Sequence, residues 1–129
     1  MVERGRPLTV VIADDHDLFA DSVEAFLSTD DRIRVVGRAA DGAEAASLVK
    51  AERPDVVLMD ISMPVLDGFA AARAILEEAP DVSILFLTGS NAPADVAAAR
   101  AAGGSGYLTK DRIASDLVDA ILALGPAAS

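Results

Sequence analysis

The feature that most constrains the fold of this chain is a regular alternation of short apolar runs with longer segments of helical periodicity. The first, third and fourth runs are apolar nearly throughout, as expected for strands that are covered on both faces. Strands that alternate with helices form βαβ units, so we predict an α/β fold: a doubly wound, five-stranded parallel sheet with five helices. The predicted strands are Leu8–Ala13, Ile33–Arg38, Asp55–Met59, Val82–Leu87 and Gly106–Thr109.

Apolar stripes at helical spacing predict the faces that the helices turn to the sheet. The fourth helix, at about residues 94–102, has Val96 as its single large apolar residue. It can therefore bury little area, and we expect it to be held weakly. The stripes of the first, third and fifth helices are Phe19, Val23, Phe26 and Leu27; Phe69, Ala72 and Leu76; and Leu117, Val118, Ile121 and Leu122.

Composition excludes several classes of site. The chain of 129 residues has a formal net charge of −10, so it is a poor candidate for binding nucleic acid or an anionic membrane directly. It has no cysteine and one histidine, which excludes disulfides and thiolate chemistry and disfavours a histidine-rich zinc site. The apolar runs are too short to span a bilayer. We expect a cytoplasmic domain at residues 8–124, after a tail at 1–7 and before a linker or C-terminal tail at 125–129.

Polar side chains stand at the ends of four predicted strands: Asp14 and Asp15 after the first, Asp60 after the third, Thr88 after the fourth and Lys110 after the fifth. In open α/β sheets the ligand site lies at this carboxyl edge. Three clustered carboxylates repel one another unless a cation compensates, and oxygen ligands suit Mg²⁺. An ammonium group suits a phosphoryl group instead. The pattern predicts a magnesium-dependent phosphoryl site.

Asp60 is the predicted nucleophile of this site. A carboxylate that attacks phosphorus forms an aspartyl phosphate, and the protein assists mainly by positioning and by neutralising charge. This interpretation requires that Asp60 is not buried and that it lies within a few ångströms of Asp15 and Lys110.

Taken singly, each of these residues has a simpler interpretation, such as a helix cap, a turn residue or a surface charge. His16 is interpreted as a polar residue that opens the first helix, and Asp67 as the start of the third helix together with Gly68. The functional interpretation depends on the joint pattern at one sheet edge, with nothing similar expected at the other edge.

With these motifs, the sequence resembles the receiver domain of two-component response regulators over about residues 7–124. The resemblance implies the flavodoxin-like strand order 2-1-3-4-5. It is carried by residues 10–15 (VVIADD), 55–64 (DVVLMDISMP) with Asp67-Gly68, 87–89 (LTG) and 102–110 (AGGSGYLTK).

The resemblance implies that Asp60 accepts a phosphoryl group from a sensor histidine kinase, directly or through a phosphotransfer protein. Asp15 and Asp60 would ligate Mg²⁺, with the backbone carbonyl of Ser62 as a further ligand and Asp14 acting largely through a water. Lys110 would pair with the phosphoryl group. Such a domain is a phosphoacceptor that assists its own phosphorylation and dephosphorylation, and is not classed as an enzyme.

A switch is also implied by the resemblance. Thr88 would turn towards the phosphoryl group, and Tyr107 would move inward into the space that Thr88 leaves. The altered face would comprise the fourth helix, the fifth strand and the fifth helix, with a homodimer expected on phosphorylation. Ser62 and Ser90 stand where family members vary the lifetime of the aspartyl phosphate.

Two details point to one branch of the family, the NarL/LuxR-type transcriptional regulators. His16 follows the paired acids, and Asp111 stands after Lys110 where many receivers have proline, which argues against a cis peptide there. In that branch a helix-turn-helix domain follows a linker and contacts DNA. We therefore expect a receiver piece of a longer regulator in preference to a stand-alone receiver.

Three other functions compete with this one. A phosphatase of the haloacid dehalogenase type needs a second carboxylate two residues after the nucleophile, where this chain has Ser62. A flavodoxin-like nucleotide carrier needs a phosphate-cradling loop after the first strand, where this chain has acids. A pseudo-receiver that binds proteins without being phosphorylated is the remaining alternative.

Overall fold

Strands and helices alternate along the chain as predicted. A computed structural model describes residues 6–61, 68–89 and 93–125. The strands are β1 Leu8–Ala13, β2 Ile33–Ala39, β3 Val56–Asp60, β4 Ser83–Thr88 and β5 Gly106–Thr109. The helices are α1 Asp17–Leu27, α2 Gly42–Glu52, α3 Gly68–Glu78, α4 Pro93–Ala101 and α5 Ile113–Leu124, with a 3₁₀ turn at Lys110–Arg112.

All five strands are parallel and lie in the order β2-β1-β3-β4-β5, which confirms the predicted topology. Asp60 is opposite Leu87 and Thr88 is opposite Thr109. The carboxyl ends of β3, β4 and β5 therefore meet at one edge of the sheet.

Some predicted boundaries are one residue off. β3 and β4 begin and end one residue later than predicted, and β2 extends to Ala39. Asp55 precedes β3, where its N–H donates to the Thr9 carbonyl at 2.9 Å. Helix α4 begins and ends one residue earlier than predicted. Asp60 and Thr88 are consequently the last residues of their strands and not the first residues of the following loops.

The core consists of two clusters, one on each face of the sheet, because successive strand residues point to opposite faces. Val10 and Leu58 belong to the cluster that α1 and α5 cover, and Val11 and Met59 to the cluster under α2, α3 and α4. Both faces are apolar, which explains the nearly continuous apolar runs of β1, β3 and β4.

Several large residues of the predicted helix stripes are less buried than expected. Phe19 and Phe26 of α1, and Phe69 and Leu76 of α3, are only partly buried. Small residues beside them, such as Ala20 and Ala72, allow these helices to approach the sheet closely, so these four side chains lie at the margins of the interface. The fully covered residues are Ala20, Val23 and Leu27 in α1, Ala71, Ala72 and Ile75 in α3, and Leu117 and Ile121 in α5.

Helix α4 carries little apolar surface, as expected. Ala99 is its buried residue among those whose side chains are described, and Val96 is only partly buried. Across the described residues, we find no helix whose length and apolar character would let it cross a membrane.

Candidate phosphoryl site

The structure brings the predicted acids together at the carboxyl edge of the sheet. Asp14, Asp15 and Asp60 each place a carboxylate oxygen, and His16 a ring nitrogen, so that all four atoms lie within 4.8 Å of one another. The Lys110 Nζ lies 3.3 Å from Asp14 Oδ2 and 3.6 Å from Asp60 Oδ1. The distances that the phosphoacceptor interpretation requires are therefore present.

Backbone groups hold Asp14, the first acid of the cluster, in place. The Asp14 N–H donates to the Ala39 carbonyl at 2.9 Å, which extends the pairing of β1 with β2. Its Oδ1 accepts a hydrogen bond from the His16 N–H at 2.8 Å. The Asp14 side chain is thereby oriented by a contact within its own turn as well as by its contact with Lys110.

Gly68 determines how closely α3 begins beside Asp60. A Cβ atom built on Gly68 would lie 2.3 Å from the Asp60 carbonyl oxygen, which is far inside any allowed contact. Only glycine permits this approach, so the Gly68 of the sequence motif has a packing function at the site.

The expectation that Asp60 is open to solvent is wrong. Asp60 is 3 % exposed and Asp14 is also 3 % exposed, whereas the Asp15 side chain is 32 % exposed. The reason is topological, because Asp60 ends a central strand that is flanked by β1 and β4, and its carboxylate faces the Lys110 ammonium. Burying charged groups is costly unless opposite charges compensate.

His16 opens α1 as predicted, since it is the residue that precedes the helix, but its side chain makes no capping bond. Its Nδ1 lies 3.2 Å from Asp14 Oδ1 and 3.2 Å from Asp15 Oδ1. Sequence reasoning missed this contact, although the direct adjacency of His16 to the paired acids was the available signal.

Phe19 is a second residue of the site that the sequence did not reveal. The Lys110 Nζ lies 4.3 Å from the centroid of its ring, the geometry of a cation–π contact. The apolar stripe of α1 predicts that Phe19 packs in the core. No local pattern connects it with Lys110, 91 positions later.

The two predicted switch residues lie on the other face of the sheet from Lys110 and Phe19. Tyr107 is opposite Phe86 and packs on the cluster under α4, and Thr88, two residues after Phe86, belongs to the same face by strand alternation. Thr88 is buried. A cavity of about 130 Å³ lies between α4 and β5, lined by Val96, Ala99, Arg100, Gly104, Ser105, Gly106 and Tyr107.

Three residues named by the sequence motifs, Ser62, Asp67 and Ser90, lie outside the described residues. The predicted contribution of the Ser62 carbonyl to a metal site therefore stays a prediction.

The opposite edge of the sheet carries one buried acid and, among the described residues, no cluster of acids like that at the carboxyl edge, in agreement with the expectation. Asp55 is 1 % exposed, and its carboxylate accepts hydrogen bonds from the Thr9 N–H at 2.8 Å and the Thr9 hydroxyl at 3.1 Å. Arg6 Nη2 lies 3.4 Å from the other oxygen. This single acid has donors for both oxygens, which is the arrangement of a structural carboxylate.

Comparison with known proteins shows the family to which the chain belongs. Residues 10–122 match the family model of the response regulator receiver domain. The chain belongs to this family. As a receiver domain, it is 38 % identical over 114 residues to the transcriptional regulatory protein DegU of Brevibacillus brevis, covering 88 % of this chain and 48 % of DegU.

Relatives also support the NarL/LuxR-type branch. The receiver domain is 40 % identical over 113 residues to the probable transcriptional regulatory protein NarL of Mycobacterium tuberculosis, covering 88 % of this chain and 52 % of that protein. A LuxR-family two-component response regulator from Aurantimonas superposes with a TM-score of 0.88 at 32 % identity, covering 96 % and 90 % of the two chains. The receiver domain spans about half the length of the curated relatives it matches.

Proposed function

We propose that this receiver domain, at residues 8–124, accepts a phosphoryl group on Asp60 from a sensor histidine kinase in a magnesium-dependent reaction. The observation that carries the proposal is the Asp60 carboxylate beside the Lys110 ammonium, 3.6 Å away, within a group of three clustered carboxylates. The domain acts as a cytoplasmic signalling switch and not as an enzyme with a turnover substrate.

The donor set fits a divalent cation. Asp14, Asp15 and Asp60 carry three formal negative charges and Lys110 one positive charge, which leaves two negative charges for one Mg²⁺ to cancel. Hard oxygen ligands of this kind suit Mg²⁺, with Asp15 and Asp60 as direct ligands and Asp14 acting largely through water. When bound, the ion would neutralise charge on the oxygens of the transferring phosphoryl group.

In the transfer, an Asp60 carboxylate oxygen forms a bond to phosphorus as the bond between phosphorus and the kinase histidine nitrogen breaks. The electron pair of that bond returns to the imidazole. Lys110 remains beside the transferred group and pairs with its oxygens. Because Asp60 is 3 % exposed, the transfer requires that the donor phosphoryl group gain access to its carboxylate.

The output follows from the new charge at Asp60. Thr88 and Tyr107 respond to it on the face that packs against α4, and the cavity between α4 and β5 gives Tyr107 room to move. Helix α4 carries little buried apolar surface, so little free energy is needed to shift its position against the sheet. The changed α4-β5-α5 face supports a homodimer, and a helix-turn-helix domain of the whole regulator contacts DNA.

The test is incubation with acetyl phosphate and Mg²⁺ followed by intact-mass measurement. We expect the addition of one phosphoryl group, lost on chelation and in Asp60→Asn. Asp55→Asn, a matched change at the other end of β3, retains the addition. Labelling that persists in Asp60→Asn would exclude Asp60 as the acceptor, and steady release of phosphate from added monoesters would favour a phosphatase.

The low exposure of Asp60 favours one second candidate, a pseudo-receiver that binds partners without being phosphorylated. A wild-type protein that gains no mass with acetyl phosphate, or with a phosphorylated kinase as the donor, would establish that function instead.

Amide hydrogen exchange tests the output separately. Exchange in α4, β5 and α5 should differ between the phosphorylated and the free protein, because these elements are re-seated. Identical exchange in the two states would contradict the proposed switch.

A further inference from the structure

The Lys110 ammonium has three neighbours in the described part of the site. Its Nζ lies 3.3 Å from Asp14 Oδ2, 3.6 Å from Asp60 Oδ1 and 4.3 Å from the centroid of the Phe19 ring. We propose that Phe19 is a positioning residue for phosphoryl transfer, whose ring holds the Lys110 ammonium beside Asp60 throughout the phosphorylation cycle. This inference rests on the function proposed above.

Lysine needs such support because its charge is carried on a flexible four-carbon stem with many rotamers. A displacement of about 1 Å in a group that must meet the transferring atoms can reduce a rate about a hundredfold. The 3₁₀ turn that begins at Lys110 follows directly on β5, so the backbone of this residue is fixed, but its ammonium is several bonds away.

The ring is the one of these three neighbours whose charge state does not change during the cycle. Asp14 and Asp60 share their oxygens with the cation, and Asp60 loses its free carboxylate on phosphorylation. An aromatic ring neither titrates nor binds Mg²⁺, so its attraction for the ammonium persists in every state. Lys110 is 24 % exposed, and partial removal from water strengthens a cation–π contact.

The fold anchors the ring as well as placing it. Phe19 lies in the first turn of α1, directly after the segment that carries the paired acids, and packs partly buried on the cluster that includes Leu108 and Leu117. The connection between β1 and α1 thus delivers two acids, and the first turn of α1 one aromatic ring, to the same side of the site, while the residue directly after β5 delivers the ammonium.

Phe26 provides a matched control. It stands two turns after Phe19 on the same helix and is also partly buried against the same cluster. In the part of the chain that the structure describes, the cation over an aromatic ring is at Phe19 and not at Phe26. Phe26→Leu therefore reproduces the lost packing of Phe19→Leu without touching Lys110.

The kinetic experiment compares wild type, Phe19→Leu, Phe19→Tyr and Phe26→Leu for the rate at which acetyl phosphate labels Asp60 in saturating Mg²⁺. We expect a fall of about tenfold in Phe19→Leu and a rate within about twofold of wild type in Phe19→Tyr, which keeps the ring. Phe26→Leu should label at the wild-type rate. A wild-type rate in Phe19→Leu, or an equal fall in Phe26→Leu, would overturn the proposal.

A spectroscopic measurement tests the contact without the reaction. The chain contains two lysines, Lys50 and Lys110, so their side-chain methylene signals are easily distinguished by NMR. The ring current of Phe19 should shift the Lys110 signals upfield in wild type and in Phe19→Tyr, but not in Phe19→Leu, while Lys50 stays unchanged.

Identical Lys110 signals in Phe19→Leu and wild type would overturn the proposal. If the wild type gained no phosphoryl group, the proposed function would fail, and the NMR comparison would still decide whether the ring holds the ammonium.

Discussion

The two ends of strand β3 each bury an aspartate, and the two sites differ in how the charge is compensated. Asp55, before the strand, accepts two hydrogen bonds from Thr9 and lies near Arg6. Asp60, at the end of the strand, lies within a cluster of three carboxylates that faces one ammonium. We call these the amino edge and the carboxyl edge of the sheet.

The comparison teaches that burial alone does not mark a functional acid. Asp55 is 1 % exposed and Asp60 is 3 % exposed, so exposure does not separate them. The difference lies in the neighbours: the amino edge offers donors to one acid, whereas the carboxyl edge gathers three acids around one ammonium. Acids gathered at one point in this way favour the binding of a cation.

The largest expected effect is on stability when each buried aspartate is replaced by asparagine. Asp55→Asn should lower the free energy of unfolding by about 2 kcal/mol, because an amide group replaces an acceptor that faces donors. Asp60→Asn should raise it by about 1 kcal/mol in the absence of divalent cations, because repulsion from the clustered carboxylates is relieved. Urea unfolding measures both, and equal losses in the two variants would remove the distinction between the edges.

Magnesium should stabilise the protein through the carboxyl edge alone. At a concentration ten times its dissociation constant, a ligand that binds only the folded state contributes about 1.4 kcal/mol. Asp15→Asn should lose this gain and Asp55→Asn should keep it. The measurement is thermal unfolding with MgCl₂ against NaCl of equal ionic strength; the same gain with NaCl, or in Asp15→Asn, would refute a specific site.

The cations of the two edges should also differ in how much they contribute to the free energy of unfolding. Lys110→Gln removes the ammonium from the acid cluster and should cost about 1 kcal/mol without Mg²⁺. Arg6→Gln should cost less than about 0.5 kcal/mol, because the Arg6 side chain is 52 % exposed and its contact with Asp55 is long. Chemical unfolding of both variants provides the comparison, which an equal loss would contradict.

The smallest effect concerns acid stability at the amino edge, where Asp30 lies shortly before β2. Hydrogen bonds from the Arg32 side chain, and then from its backbone N–H, lower the pKa of Asp30 to about 2. Since the folded pKa lies below the unfolded value, this stabilisation is complete above about pH 4 and is lost as the pH falls towards 2.

Asp30→Asn should therefore flatten the slope of stability with pH in that acid range and leave it unchanged near neutrality. Acid unfolding followed by circular dichroism measures the slope, and NMR titration of the Asp30 carboxyl measures the pKa directly. A titration near the ordinary value of 3.8 would contradict the assignment.

Much of this molecule is predictable from local patterns. The apolar runs place all five strands within one residue of their ends, because a strand covered on both faces must be apolar on both. Parallel strands bring their carboxyl ends to one edge, so the order of Asp14, Asp60 and Lys110 along the chain already predicts that they meet.

Other features could not be predicted because they depend on distant contacts. Whether Asp60 is buried depends on how the elements around the end of β3 pack. The sequence of β3 alone does not show this. The apolar run predicts a strand that begins at Asp55, and no local pattern shows that Asp55 accepts hydrogen bonds from Thr9, 46 positions away. Phe19 matched a helical stripe, and nothing in that stripe distinguishes a ring that faces the core from one that also faces an ammonium.

The sequence by itself determined the fold class, the family and the set of groups that gather at the carboxyl edge, because periodicity and strand ends are properties of short segments. Only the tertiary structure decided that Asp60 is enclosed, that Asp55 is satisfied by Thr9 and that Phe19 faces Lys110. Burial and charge compensation are sums over neighbours that the folded chain brings together, and those neighbours lie far apart in the sequence.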